Sequence, residues 1–125
     1  IDYKAGNIAS VSNMISYLGY KSTISSDYKE VDLVDKIILP GVGSFYFGME
    51  SFKNLNLLSS LVKKFEVDKV PVLGICLGMQ LFFKNSEEGK FSGLGFIDAT
   101  AKKFSFENDL KLKIPNLGWN RNDLE

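Results

Sequence analysis

The sequence predicts an α/β fold: a mostly parallel sheet with helices on both faces and a short antiparallel extension at one side. Three observations carry this. Short apolar runs alternate with segments of helical period as far as Lys84, the rhythm of βαβ units. Two of the runs, 36–39 and 70–75, end directly in glycine-rich turns, as strands do at the carboxyl edge of such a sheet. After Lys84 the texture changes to short candidate strands separated by polar turns, which supply the antiparallel part.

Ile1-Asp-Tyr3 reads as the stub of a first strand and 4–7 as a loop. Over 8–18, Ile8, Val11, Ile15 and Leu18 share one helical face, and Gly19 stops the run. Residues 21–25 alternate as a short strand does, 31–34 fit a single helical turn, and Lys36-Ile-Ile-Leu39 is a buried strand entering Pro40-Gly-Val-Gly43. Met49, Phe52, Leu55, Leu58, Leu61, Val62 and Phe65 return at helical spacing over 45–65, with a break near 54–56. The strand 70–75 follows, and Gly95-Phe-Ile97, 100–106 and 110–114 are the later short strands.

With 125 residues, 45% hydrophobic and 24% charged, the chain suits one globular domain over 1–125, and its stub-like opening without Met predicts that both ends are cut. Fifteen acidic and fifteen basic residues are spread along it, which speaks against a surface that tracks nucleic-acid phosphates. One cysteine forms no internal disulfide, and neither a signal peptide nor an apolar run of membrane length is present, so a cytoplasmic setting is expected. Nothing calls for a metal or cofactor. There is no histidine, so the usual general base of cysteine chemistry is not in this segment.

The residues richest in chemistry are Val70-Pro-Val-Leu-Gly-Ile-Cys76-Leu-Gly-Met-Gln80. A cysteine between two glycines at the end of an apolar run is the pattern of a nucleophile elbow, in which a strand turns sharply into a helix and holds the nucleophile in strained backbone geometry. The sulfur then sits at a helix N-terminus, where the dipole and free N–H groups favour thiolate. The plainer alternative is a small buried core cysteine. Pro40-Gly-Val-Gly43 could likewise be an ordinary turn, Gln80 a solvated helix residue, Glu87 and Glu88 an acidic surface turn, and Trp119 a packed core residue.

Six segments in order, Asp2-Tyr-Lys-Ala-Gly-Asn7, Leu39-Pro-Gly-Val-Gly43, Gly74-Ile-Cys-Leu-Gly-Met-Gln80, Ser86-Glu-Glu-Gly89, Gly93-Leu-Gly95 and Pro115-Asn-Leu-Gly-Trp-Asn120, resemble the class I (triad) glutamine amidotransferases. Within that family they are similar to glutaminase subunits serving imidazole glycerol phosphate formation in histidine biosynthesis. The resemblance implies a flavodoxin-like fold whose C-terminal part is missing here, and a reaction in which Cys76 attacks the side-chain amide of glutamine and forms a glutamyl thioester. It implies an oxyanion hole from Val42, Gly43 and Leu77, glutamine binding by Gly43, Gln80 and Glu88, and a face of Asn7, Trp119 and Asn120 toward a (β/α)8 barrel synthase subunit, the heterodimer partner that receives ammonia. The family's His-x-Glu pair has no counterpart, so this segment alone is expected to be inactive.

Two departures fall in the segments of the partner face: Lys4 where the family usually has glycine, and Asn116 where it usually has histidine. They leave open the acceptor of the ammonia, since proteins similar to these subunits also serve surface-sugar amidation outside histidine synthesis. They also leave open a silent regulatory role. A different cysteine enzyme on the same architecture is a third class, against which Gln80, Glu88 and the Gly-Trp-Asn segment argue.

Overall fold

Two adjacent parallel strands, β1 (Ile37–Gly41) and β2 (Val72–Cys76), form the frame of the molecule, paired from Ile37 with Val72 through to Gly41 with Cys76. They come from a computed structural model, which describes residues 1–89, 91–105, 114, 118, 119, 121 and 123. A parallel pair needs a covered crossover. Here α3 (Phe45–Asn54) and α4 (Leu58–Val62) provide it, followed by a π-helical turn over Lys63–Val67. The break anticipated near 54–56 is real: Asn56 takes φ 57° and separates the two helices. Ser44 starts α3 by accepting a hydrogen bond from Phe47 N at 3.2 Å, satisfying one of the free N–H groups of its first turn.

The core lies where β1 meets these helices. Tyr3, Leu39, Phe45, Phe52, Leu57, Leu61, Leu77 and Leu81 are all essentially inaccessible to solvent. The helix α1 (Ile8–Tyr17) matches its expected span, with Asn7 capping Ser10 N at 3.2 Å, yet it buries no residue fully. On β2, Leu73 and Ile75 remain exposed. Among the described residues no helix is long and apolar enough to cross a membrane.

Several expectations shift. Segment 1–3 lies beside β1, and Ser25 of segment 21–25 bonds to it in turn, yet neither segment becomes a regular strand. The Ile1 ammonium donates to Ile38 O at 2.9 Å and Asp2 N to Ser25 O at 2.7 Å, but Lys4 turns the chain away at φ 66° before a ladder can form. The helical turn foreseen at 31–34 is α2 (Tyr28–Val31), set earlier because Asp27 caps Lys29 N at 2.9 Å. The antiparallel extension is corrected: β3 (Phe83–Ser86), which follows the one-turn helix α5 (Leu77–Gln80), pairs with β4 (Ile97–Ala101) in parallel. The intervening loop folds back on the chain before β4 begins, with Gly93 N donating to Lys84 O and Leu94 N to Leu81 O, so β4 runs the same way as β3. The strand foreseen at 100–106 ends at Ala101, and that at 110–114 lies outside the described residues except for Ile114.

Close approach governs the crossing of α5 over the sheet. A Cβ on Gly78 would collide with the carbonyl of Leu39, and one on Gly74 would stand 2.6 Å from the backbone of Met79. Both neighbours are backbone and cannot turn aside. Gly78→Ala is therefore expected to cost about 3 kcal/mol or more of folding stability, read from urea unfolding. A midpoint equal to wild type would contradict the packing described.

Candidate functional site

The site is built on the carboxyl ends of β1 and β2. Cys76 ends β2 and opens α5 with φ 54° and ψ −116°, a left-handed conformation that a residue with a side chain adopts only where its surroundings enforce it. Gly74 and Gly78 supply the room, as the motif predicted. The thiol is exposed rather than packed in the core, which removes the plainer reading of a buried cysteine. The helix after the elbow is a single turn, because Leu81 caps it and the chain enters β3 at once.

Gly41 stands directly across from Cys76 in the strand register, so the 40–43 loop and the elbow share one edge of the sheet. Gly43 has φ 131°, a conformation open to glycine. A Cβ there would just touch Leu77 and Phe47 at 4.0 Å. Val42 is exposed beside it while Leu77 is buried, so the backbone of Leu77, and not its side chain, is what the elbow offers to a ligand. The three residues predicted to form an oxyanion hole are thus neighbours.

Glu88 joins the same place from a distant part of the chain. Its carboxylate accepts from Phe45 N at 3.1 Å, two residues beyond Gly43, and its own N–H donates to the buried Ser86 hydroxyl at 3.1 Å. Glu87 turns to the other side, where it accepts from Lys103 N at 2.9 Å. Only the second of the two adjacent carboxylates therefore reaches the start of α3 that follows the loop. Gln80 lies at the end of α5, half-buried, one helical turn from Cys76.

The remaining predicted residues are not gathered here. Asn7 spends its side-chain oxygen on the cap of α1. Trp119 is fully exposed, so it is not the core residue of the plainer reading. Asn120, and the departure at Asn116, lie outside the described residues. Lys4, at the other departure, holds its left-handed backbone with help from Asp2, whose carboxylate accepts from Lys4 N at 2.9 Å and from Nζ at 2.8 Å. The hydrogen bond from the Lys4 side chain keeps the Asp2 carboxyl below its ordinary range.

Two residues at the site were not singled out in the sequence. Ser86 orients Glu88, and nothing in a serine before two glutamates distinguishes it from a turn residue. Tyr3 is wholly buried beneath Gly41, and its hydroxyl occupies the place where a side chain of residue 41 would project. Burial, and then the charge of Cys76, push its phenol above the ordinary tyrosine range, so the group stays a neutral hydroxyl. Among the described residues no cluster of side chains is suited to a metal ion.

An exposed thiol beside glycine-rich backbone and a carboxylate can form a covalent bond to a small carbonyl substrate bearing an ammonium group. A family model described as "Glutamine amidotransferase class-I" matches residues 1–122. The chain is 49% identical over 120 residues to the imidazole glycerol phosphate synthase subunit HisH 2 of Methanococcus maripaludis, covering 96% of this chain and 58% of that protein. It is 47% identical over 121 residues to the subunit HisH 1 of Campylobacter jejuni, covering 96% and 59%. With the subunit HisH 2 of Pseudomonas aeruginosa the identity is 40% over 121 residues, covering 97% and 59%. The chain thus spans under two thirds of the length of these curated relatives. A crystal structure of a glutamine amidotransferase superposes with a TM-score of 0.69 at 17% identity, over 78% of this chain and 52% of that one, a likeness of fold.

Since Cys76 is the single cysteine and is exposed, the folded protein should take up one equivalent of iodoacetamide without denaturant. Labelling that requires unfolding would contradict the exposed elbow.

Proposed function

The chain belongs to the class-I glutamine amidotransferases, and on that basis we propose that it is the nucleophile-bearing part of a glutaminase subunit that feeds ammonia to a synthase. The observation that carries the reading is the exposed, left-handed Cys76 set directly across from Gly41, with Glu88 bound to Phe45 N at the start of α3, two residues beyond Gly43.

The substrate carboxamide lies between the elbow and the 40–43 loop. The Cys76 thiolate attacks its carbon, a C–S bond forms, and the carbonyl electrons move onto oxygen. Backbone N–H groups of Leu77 and of Val42 or Gly43 receive that charge; such preorganised donors are worth about 3 kcal/mol each in acyl transfer. Collapse of the intermediate breaks the C–N bond, and the leaving nitrogen takes a proton to depart as ammonia. Water then attacks the thioester to give glutamate and the free thiol. Glu88, offering its carboxylate at the start of α3, meets the α-ammonium of glutamine, and Gln80, one turn from the thiol, holds the backbone end of the substrate.

The proton that leaves with ammonia needs a carrier, and the 125 residues contain no histidine. The reading therefore gives attack, charge stabilisation and substrate recognition to this chain, and proton transfer to a His–Glu pair elsewhere in the complete protein. By itself the chain turns over no glutamine.

Ammonia released to bulk water is protonated and loses its nucleophilicity, so delivery favours a sealed contact with the acceptor enzyme. The fully exposed Trp119, with Asn120 beside it in sequence, suits an interface anchor, and the family resemblance assigns Asn7 to the partner face as well. The partner in this reading is a (β/α)8 barrel subunit in a cytoplasmic heterodimer. The names borne by the relatives favour imidazole glycerol phosphate formation as the reaction supplied.

The test is ammonia release from glutamine by the complete protein, alone and with its barrel subunit. Activity should rise with the barrel, and Cys76→Ala should lower it roughly a thousandfold or more. No release under either condition, with barrel binding intact, would make the protein a silent regulatory partner instead.

A further inference from the structure

The Tyr3 hydroxyl is the most conspicuous group near the site that this reaction leaves without a task. Tyr3 has no solvent exposure, its ring packs on Phe52 at 4.5 Å between centroids, and its hydroxyl finds no hydrogen-bond partner among the described residues. Buried hydroxyls are normally paired, because an unpaired one forfeits its hydrogen bonds to water. Phenylalanine would fill the same space without that loss, so packing gives no reason for the oxygen.

Its location supplies one. The hydroxyl lies against Gly41, the register partner of Cys76, and the position a Cβ of Gly41 would take is 3.1 Å from the Cβ of Leu77. It therefore sits beneath the seam where β1 gives way to the 40–43 loop and β2 gives way to the elbow. Any Cβ on Gly41 would displace it. The charge of a Cys76 thiolate is felt by the phenol, and burial keeps the phenol protonated, so it remains a donor throughout. Of the charged groups on the surrounding segments, Asp2 and Lys4 pair with each other at 2.8 Å, the Ile1 ammonium donates to Ile38 O, Glu50 of α3 accepts from Tyr46, Lys53 also lies on α3, and Glu88 holds Phe45 N; β1, β2 and α5 carry no charged side chain.

We infer that Tyr3 is a positioning residue for the chemistry of Cys76: its hydroxyl, held in reserve beneath the Gly41 seam, is the donor that meets negative charge developing at the elbow. The inference rests on the reading of Cys76 as the nucleophile. It acts through orientation and dipole, without contact to glutamine, and so bears on the rate of attack more than on substrate affinity.

Tyr3→Phe in the complete protein, with its barrel subunit present, removes the oxygen alone. The expected result is a melting temperature equal to or above wild type, a fall of about tenfold in the rate of Cys76 alkylation by iodoacetamide at fixed pH, and a similar fall in kcat for glutamine with KM unchanged. Alkylation and kcat at wild-type levels would overturn the inference. Should the variant fail to fold, the 13Cζ resonance of Tyr3 in otherwise native protein serves instead. It should differ between Cys76 as thiolate and Cys76→Ala, and an identical resonance in the two would overturn the inference equally. Wild type that alkylates but releases no ammonia would count against the glutaminase reading and leave this comparison to be decided by alkylation alone.

Discussion

Everything at this site depends on how closely two strand ends and one helical turn approach each other. Gly41 faces Cys76 across the parallel pair, Gly78 lies against the Leu39 carbonyl, and Gly74 lies against the backbone of Met79. With backbone contacts at Gly74 and Gly78 that admit no Cβ, the turn from β2 into α5 has almost no freedom, and the residue at its apex is held at φ 54°. The strain at Cys76 is thus sustained by packing beneath it, chiefly Leu77, Leu81 and Phe45 in the core. A nucleophile exposed on a rigid apex requires little reorganisation to react.

The same seam explains why residues far apart in sequence converge. Helix α3 begins immediately after the 40–43 loop because Ser44 caps it, and that start leaves Phe45 N for the carboxylate of Glu88. Ser86, buried at the end of β3, fixes the backbone of Glu88, while the parallel pairing of β3 with β4 takes Glu87 to the opposite side. One carboxylate is delivered to the start of α3 and its neighbour is withheld. From beneath, Tyr3 closes the seam with an aromatic ring on Phe52 and a hydroxyl against Gly41.

Much of this was legible in the sequence because glycine at fixed offsets is a strong statement about backbone. Gly74, Cys76 and Gly78 foretold the elbow, and a strand ending in Pro40 foretold the loop beside it. Helical periodicity located α1 and the α3–α4 pair with the break between them. The parts that were misread depend on partners distant in the chain. A segment such as 21–25 has strand-like alternation, but whether it joins a ladder is decided by what lies alongside. The parallel course of β4 follows from backbone contacts of Gly93 and Leu94, which leave no mark on composition. Tyr3 was invisible for the same reason, since Gly41 and Phe52 lie against it only in the fold, whereas Ser86 binds Glu88 two residues on and reads in sequence as any turn serine.

The central claim is that this elbow forms an acyl bond to glutamine. Acid quenching of the complete protein during turnover with its barrel subunit, followed by peptide mass spectrometry, tests it most directly. The account predicts a glutamyl adduct confined to the peptide that contains Cys76, the single cysteine of the chain. Sustained ammonia release with the Cys76 peptide unmodified, or with the glutamyl group on another residue, would contradict it.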